Sequence, residues 1–536
     1  MSELPRGDRI LKQRGNMGAP TRQTRAGISR RNVLCTGGIA ATGIAAERPM
    51  SASPGSGSGP EVYTRIGVEP FINCTATYTI NGGSATLPEV IAAIEQASHY
   101  HVNLDELMEK VGDRLAELLQ VEWGIVTSGA AGALTHATAG CIAGTDPEKM
   151  QRLPNLDGLK NEVIIPRESR NPYDHAVRTL GVKVIEVNSP GEVEAAIGPR
   201  TAMIEVLGSH FGGAKLDLKD VAPIARKAGI PILVDAAADY LIVPNPYLAL
   251  GASLVAYSGG KIIRGPQTAG LLLGRRDLVR AAWANSAPHH SFGRALKVSK
   301  EEIVGMLRAV EVWRTGRDVQ ADFRVWTSWY EHITGQITRV PGVRAEVRGP
   351  ARGGPFPTLR VSWDTAKIGL KASEVGAQLL GGKPRIMSHA EGEGHEFLIR
   401  PVAMKPGEYR IVAQRLYEIF HTAPKGGVAQ AHAEVPRVDL SGAWDAEIEY
   451  EVGSARHQLV ITANGSDLSG SHRGWAFQGD IRGKIDGDRV EMRSSLPAEG
   501  TRLSYTFRGT VAGDVMSGAL ELGEYGRGRW RAKRRV

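Results

Sequence analysis

Residues 252–270 read ASLVAYSGGKIIRGPQTAG. The run LVAYS is short, apolar and without polar alternation, the pattern of a strand covered on both faces. Gly259 and Gly260 break it, and Lys261 follows with no carboxylate nearby in sequence and no helical face to carry it. Such a lysine is a phosphate-loop lysine, a surface charge or a reactive amine. A phosphate loop needs Ser or Thr after its lysine and a glycine five residues before the last one. Ile262 and Val255 occupy those positions, which excludes it. The glycines are expected to leave room for a planar group against the backbone.

The same strand pattern recurs upstream as NEVIIP, VKVIEV, TAMIEVL and IPILVDAA. Amphipathic stretches such as YDHAVRTLG and LKDVAPIARKAG lie between them. Continuous apolar strands alternating with helices predict an α/β domain with a mostly parallel central sheet over 61–310. After the helical stretch KEEIVGMLRAVEVWRTG, TLRVSWD and EFLIRPVAMKPGEYRIVAQRLYEIF predict a small α+β lobe over 311–425.

Residues 437–536 change character: apolar and polar residues alternate, with turn dipeptides at Asn464-Gly465 and Asp486-Gly487. A weak repeat relates IRGKIDGDRV (481–490) to FRGTVAGDVM (507–516). This predicts an all-β antiparallel meander, a small closed or nearly closed barrel.

The formal charge is +8, but residues 1–48 hold nine Lys/Arg against three acids, leaving only +2 for the rest. That distribution argues against a nucleic-acid partner despite the basic total. Arg30 and Arg31 precede a short apolar, glycine-rich stretch, and SASPGSGSGP (51–60) reads as a linker. The arrangement predicts export by a twin-arginine-like signal over 1–48, with cytoplasmic residence as the alternative. No apolar run is long enough for a stable membrane span. The three cysteines, Cys35, Cys74 and Cys141, lack metal-ligand spacing, so no metal is expected, and Cys74 and Cys141 read as buried thiols.

A cofactor that needs a lysine amine is pyridoxal 5'-phosphate. It also needs an acid for its pyridine nitrogen, a phosphate cradle and a plate against the ring. Asp235 ends the strand preceding that of Lys261, so both fall on one edge of the sheet, where α/β sites form. VTSGAAGAL (126–134) passes from strand to helix through Ser128, Gly129 and Ala130, whose small side chains let backbone N–H groups reach a phosphate. Ser258 is placed to add a hydroxyl. Tyr173 and His175, in NPYDHAVRTLG, are both candidates for the ring plate. Arg400 suits a substrate carboxylate, which a guanidinium binds bidentately. Arg170 and His210 are further candidates for substrate contact. His289 and His290 read as loop residues, placed near a neighbouring subunit's pocket.

These motifs resemble the fold-type I pyridoxal-phosphate enzymes, and more narrowly the selenocysteine synthase superfamily with its amino-sugar-acid lyases. FINCTATYTINGG (71–83), VTSGAAGAL, VDAAAD (234–239), GGKIIRGPQ and FGRALKVSKEEIVG (292–305) carry the resemblance, across about 61–425. It implies that Lys261 is the Schiff-base lysine and Asp235 the pyridine partner, with Ser128, Gly129, Ala130 and Ser258 around the phosphate. It also implies at least a homodimer. Selenocysteine synthase carries an N-terminal tRNA-reading domain; a signal-like segment stands in its place here, which favours a small amino-bearing substrate. The implied activity is α,β-elimination with deamination of a hydroxy-amino acid or amino-sugar acid. Transamination, selenium- or sulfur-type β-replacement, and a non-catalytic binding platform are the alternatives.

Overall fold

The structure, a computed structural model, describes residues 60–208, 215–350, 355–425 and 434–535. The signal-like segment, most of the linker, and His210 lie outside the described residues.

A seven-stranded sheet organises the first domain. From one edge its strands are Trp123–Ser128, Ala269–Gly274, Leu254–Ser258, Ile232–Asp235, Thr201–Leu207, Glu162–Pro166 and Lys183–Val187. All neighbours pair in parallel except Ala269–Gly274, which runs against both of its own. Val163, Ile164, Leu233, Val234, Leu254 and Val255 are fully buried, as the unbroken apolar runs require. The helix Gly129–Ala143 is buried along nearly its whole length. Its alanines and glycines let it pack closely: a Cβ at Gly140 would come within 2.9 Å of the backbone of Ala282.

The helix Lys300–Gly316, capped by a reciprocal Ser299–Glu302 box, leads out of this domain. It runs through residue 310, so the expected boundary falls inside a helix. The lobe beyond has an antiparallel sheet of Val343–Arg348, Thr358–Trp363 and Glu396–Ile399, backed by helices that include Val319–Ile337 and Glu408–His421. The early strand Phe71–Asn73 also joins this lobe by pairing in parallel with Arg385–Met387. Cys74 and Cys141 are free thiols, the first buried and the second half-buried.

Eight strands from Gly442 to Arg534 form a closed antiparallel barrel in which each pairs with the next and the last with the first. Alternate residues point inward: Trp444, Ile448, Leu459, Met492, Phe507 and Trp530 fill the interior. The sequence repeat marks two hairpins, each turning at a glycine of positive φ, Gly487 (61°) and Gly513 (57°). No helix among the described residues is long and apolar enough to cross a membrane.

Candidate active site

The sheet's chemistry collects where the strands Ile232–Asp235 and Leu254–Ser258 end. Their register sets Asp235 opposite Ala256, and Lys261 follows in the turn after Ser258. A cavity of about 510 Å³ opens there, lined among others by Ser128, Tyr173, Asp235, Ser258, Lys261 and Gln267. Gly129 and Ala130 form its floor at the start of the helix Gly129–Ala143. A second cavity of about 190 Å³ shares Tyr173 and Lys261 with the first and reaches Arg400 and Tyr78.

Each group is held by its surroundings. Gly129 has φ 67°, which turns the strand sharply into the helix and presents the helix N-terminus to the cavity. The Ser128 hydroxyl is buried with no hydrogen-bond partner among the described residues. Asp235 accepts from the Ala237 N–H at 3.0 Å. Burial pushes its carboxyl above the usual range, against the pull of that N–H and of Lys261. Burial likewise lowers the Lys261 amine, with Asp235 and Asp239 acting in the opposite sense. Both shifts favour neutral forms, so burial outweighs the attraction within the pair. The amine lies 5.6 Å from the centre of the Tyr173 ring.

Glycines 259 and 260 serve a different end from the one expected of them. A Cβ on Gly259 would lie 2.7 Å from the Ala269 carbonyl, and one on Gly260 would lie 2.7 Å from the Gln267 Cα. They let the lysine turn pack against the chain that returns into the sheet. Arg264, at φ 61°, completes that turn and donates to the Ala85 carbonyl at 2.9 Å.

These groups fit pyridoxal phosphate. The orphaned Ser128 hydroxyl and the helix N-terminus suit its phosphate. The buried Asp235 carboxyl suits a protonated ring nitrogen, and the Lys261 amine suits its aldehyde.

Of the candidates named from sequence, Lys261, Asp235, Ser128, Gly129, Ala130, Ser258 and Tyr173 meet around the larger cavity. Arg400 lines the smaller one. His175 lines neither: residues 172–174 make a tight turn that sends the Tyr173 ring toward Lys261 and leaves His175 exposed at the start of the next helix. Arg170 is also elsewhere. Its side chain, 7% exposed, is taken up by Asp174, Glu186 and Glu499. His289 binds Asp105 at 2.9 Å and the Trp283 carbonyl at 3.0 Å.

Sequence reasoning assigned no role to Thr77, Tyr78, Thr79 and Lys297, which also line the cavities. The first three ride on a loop whose shape depends on Asn73, which accepts from the Thr75 N–H and hydroxyl and donates to the Ala76 carbonyl. Ala76 sits at φ 76° within it. The run TATYT (75–79) contains no group that signals chemistry by itself; strand pairing with the lobe brings it to the site.

A larger depression of about 950 Å³ lies on the barrel wall. Arg456 and Arg531 there each stand opposite Glu447 across a strand pair, and the lining as a whole is basic, with six Lys/Arg against Asp445 and Glu447.

The family Aminotransferase class-V matches residues 87–293. D-glucosaminate-6-phosphate ammonia lyase of Salmonella typhimurium is 30% identical over 377 residues, covering 68% of this chain and 99% of that protein. A solved structure of a D-glucosaminate-6-phosphate ammonia-lyase superposes with a TM-score of 0.60 at 29% identity, over 68% of this chain and 99% of its own. A 5'-C-glycyluridine monooxygenase-decarboxylase of a Streptomyces species is 29% identical, over 68% of this chain and 93% of its own. The L-seryl-tRNA(Sec) selenium transferase of Moorella thermoacetica is 25% identical, over 68% and 84%.

Proposed function

Because the chain belongs to the fold-type I pyridoxal-phosphate enzymes, in the family of the glucosaminate-phosphate ammonia lyase and the selenium transferases, we propose that it is an ammonia lyase of a small hydroxy-amino acid or amino-sugar acid. A pyridoxal-phosphate enzyme of the lyase or transferase class is what its relatives and its site share. The observation that carries the narrower reading is the joined pair of cavities. One holds Lys261 with Asp235, and the other leads from Lys261 to Arg400.

When bound, pyridoxal phosphate supplies an electron sink for the pair left on a carbon that carries the substrate amine. The protein's residues do the rest. Arg400 offers a guanidinium to the substrate carboxylate and so orients the carbon next to it toward Lys261. The Lys261 amine, lowered by burial, is poised to take the proton from that carbon. Asp235 presents its buried carboxyl to the cavity at the end of the sheet, where it would pair with the cofactor's ring nitrogen, and the Tyr173 ring faces the lysine amine. Loss of a β-hydroxyl then leads, with water, to a keto acid and ammonia.

The test is product analysis of the reconstituted enzyme against hydroxy-amino acids and amino-sugar acids. Ammonia and keto acid in equal amounts support the lyase. Amino transfer to a keto acceptor without free ammonia overturns it in favour of transamination.

Two further parts of the proposal concern setting. A homodimer is supported by the exposed apolar side chains Ile66, Ile80, Tyr100 and Val102 on the early segment, Ile80 being 90% exposed. Export is supported by the Arg30-Arg31 pair ahead of its apolar stretch. Fractionation of the native chain and of Arg30→Lys/Arg31→Lys tests it: cytoplasmic residence of both removes the export claim.

A further inference from the structure

The lyase match covers 99% of that protein but only 68% of this chain, so about a third of the chain stands outside it. The barrel nonetheless touches the site's framework. Its strands Arg489–Ala498 and Thr501–Ala512 are joined by Glu499 and Gly500. Glu499, at φ 52°, accepts from Arg170 at 2.7 Å. Gly500 lies directly against the turn at Asn171–Asp174. A Cβ there would fall 2.2 Å from the Asn171 carbonyl oxygen and 2.5 Å from Asp174 Oδ2. No side chain fits, and the obstacle is largely backbone, which cannot swing away.

That turn is itself tightly built. Asp174, 1% exposed at its side chain, binds both Arg170 and Arg178. The Asn171 side chain accepts from the Tyr173 N–H at 2.8 Å. Tyr173 thus sits within the short stretch between the anchored Asn171 and Asp174, and its ring faces Lys261. Glu524, on a neighbouring barrel turn, also acts on it: burial, then Tyr78, Asp235 and Glu524, push the Tyr173 phenol up.

We propose that the barrel is part of the catalytic unit, its Glu499–Gly500 hairpin tip clamping the Arg170–Asp174 loop and so fixing Tyr173 over Lys261. Glu499 and Gly500 are positioning residues that act through Tyr173. The cofactor part of this inference rests on the proposed function; the clamp itself does not.

The experiment has two arms on the full-length chain. The first is hydrogen exchange of residues 167–178 in the protein without cofactor, for wild type, Gly500→Ala, Glu499→Ala and Glu499→Gln. Exchange is expected to quicken in that segment for Gly500→Ala and Glu499→Ala, while the strand Leu254–Ser258 keeps wild-type protection and so reports an intact fold. Glu499→Gln, which still offers Arg170 an acceptor, restores most of the protection. The second arm is pyridoxal-phosphate affinity by absorbance titration. Gly500→Ala is expected to weaken binding about tenfold. The same change in a Tyr173→Ala background adds little, because both act through one side chain. Unchanged exchange in 167–178, or effects of Gly500→Ala and Tyr173→Ala that add in full, overturn the clamp. If wild type binds no cofactor, the proposed function falls, and the exchange arm alone decides whether the hairpin holds the loop.

Discussion

The two ends of the molecule treat buried polar groups in opposite ways. Inside the barrel, His457 and His472 are buried, but the first bonds the second at 2.7 Å and the second bonds Ser494 at 2.6 Å. At the sheet's edge, the buried Ser128 hydroxyl and the Gln267 side-chain amide oxygen Oε1 have no partner among the described residues. Lys261 and Asp235 there are both pushed toward neutrality. A satisfied polar cluster stabilises a fold, whereas an unsatisfied one costs stability and persists where a ligand completes it. The barrel interior thus reads as scaffold and the sheet edge as a prepared site.

The largest effect that would break this contrast is in the lysine. Lys261→Ala is expected to lower turnover at least about a thousandfold and to abolish the cofactor's visible absorbance, while thermal stability holds or rises. A fall in stability of the cofactor-free protein would mean that Lys261 is structural. The converse change is in the barrel. Phe507→Ala removes a fully buried ring and should cost about 3–5 kcal/mol of barrel stability by denaturant unfolding, without removing the absorbance. Asp235→Asn keeps the shape and drops the acid; turnover should fall about a hundredfold, with the cofactor-free protein melting higher.

The smallest effect sharpens the contrast through pH. Glu205 lies on the strand beside Asp235, two residues before the Leu207 that pairs with it. Burial, then Asp235 and Asp174, push its carboxyl up to about 8, and its Oε2 has no partner among the described residues. A carboxyl raised in the folded state keeps a proton that the unfolded chain loses, so its stabilisation is present at low pH and lost as pH rises toward 8. Glu205→Gln should therefore be stabilised relative to wild type by an amount that is small at pH 5 and grows steadily toward pH 8. Parallel stability curves for the two proteins would place Glu205 outside this account.

Much of this was legible in the sequence because burial leaves a simple mark. Unbroken apolar runs gave away the strands that meet at Asp235 and Ser258, and alternation gave away the barrel. The lysine and aspartate stood out because each follows such a run. What stayed hidden depends on long-range placement. The loop 75–81 reaches the site only through pairing of Phe71–Asn73 with Arg385–Met387, over three hundred residues away in sequence. Which of Tyr173 and His175 lines the cavity depends on a tight turn at 172–174 that periodicity does not reveal. Arg170 looked like a substrate arginine because its carboxylate partners Glu186 and Glu499 lie on other elements.

The central claim is that Lys261 is the amine that bonds the cofactor. Reconstitution of the full chain with pyridoxal phosphate, borohydride reduction and peptide mass mapping tests it directly. One pyridoxyl-phosphate adduct per chain is expected, on the peptide carrying Lys261. No adduct, or one shared among surface lysines, would contradict it.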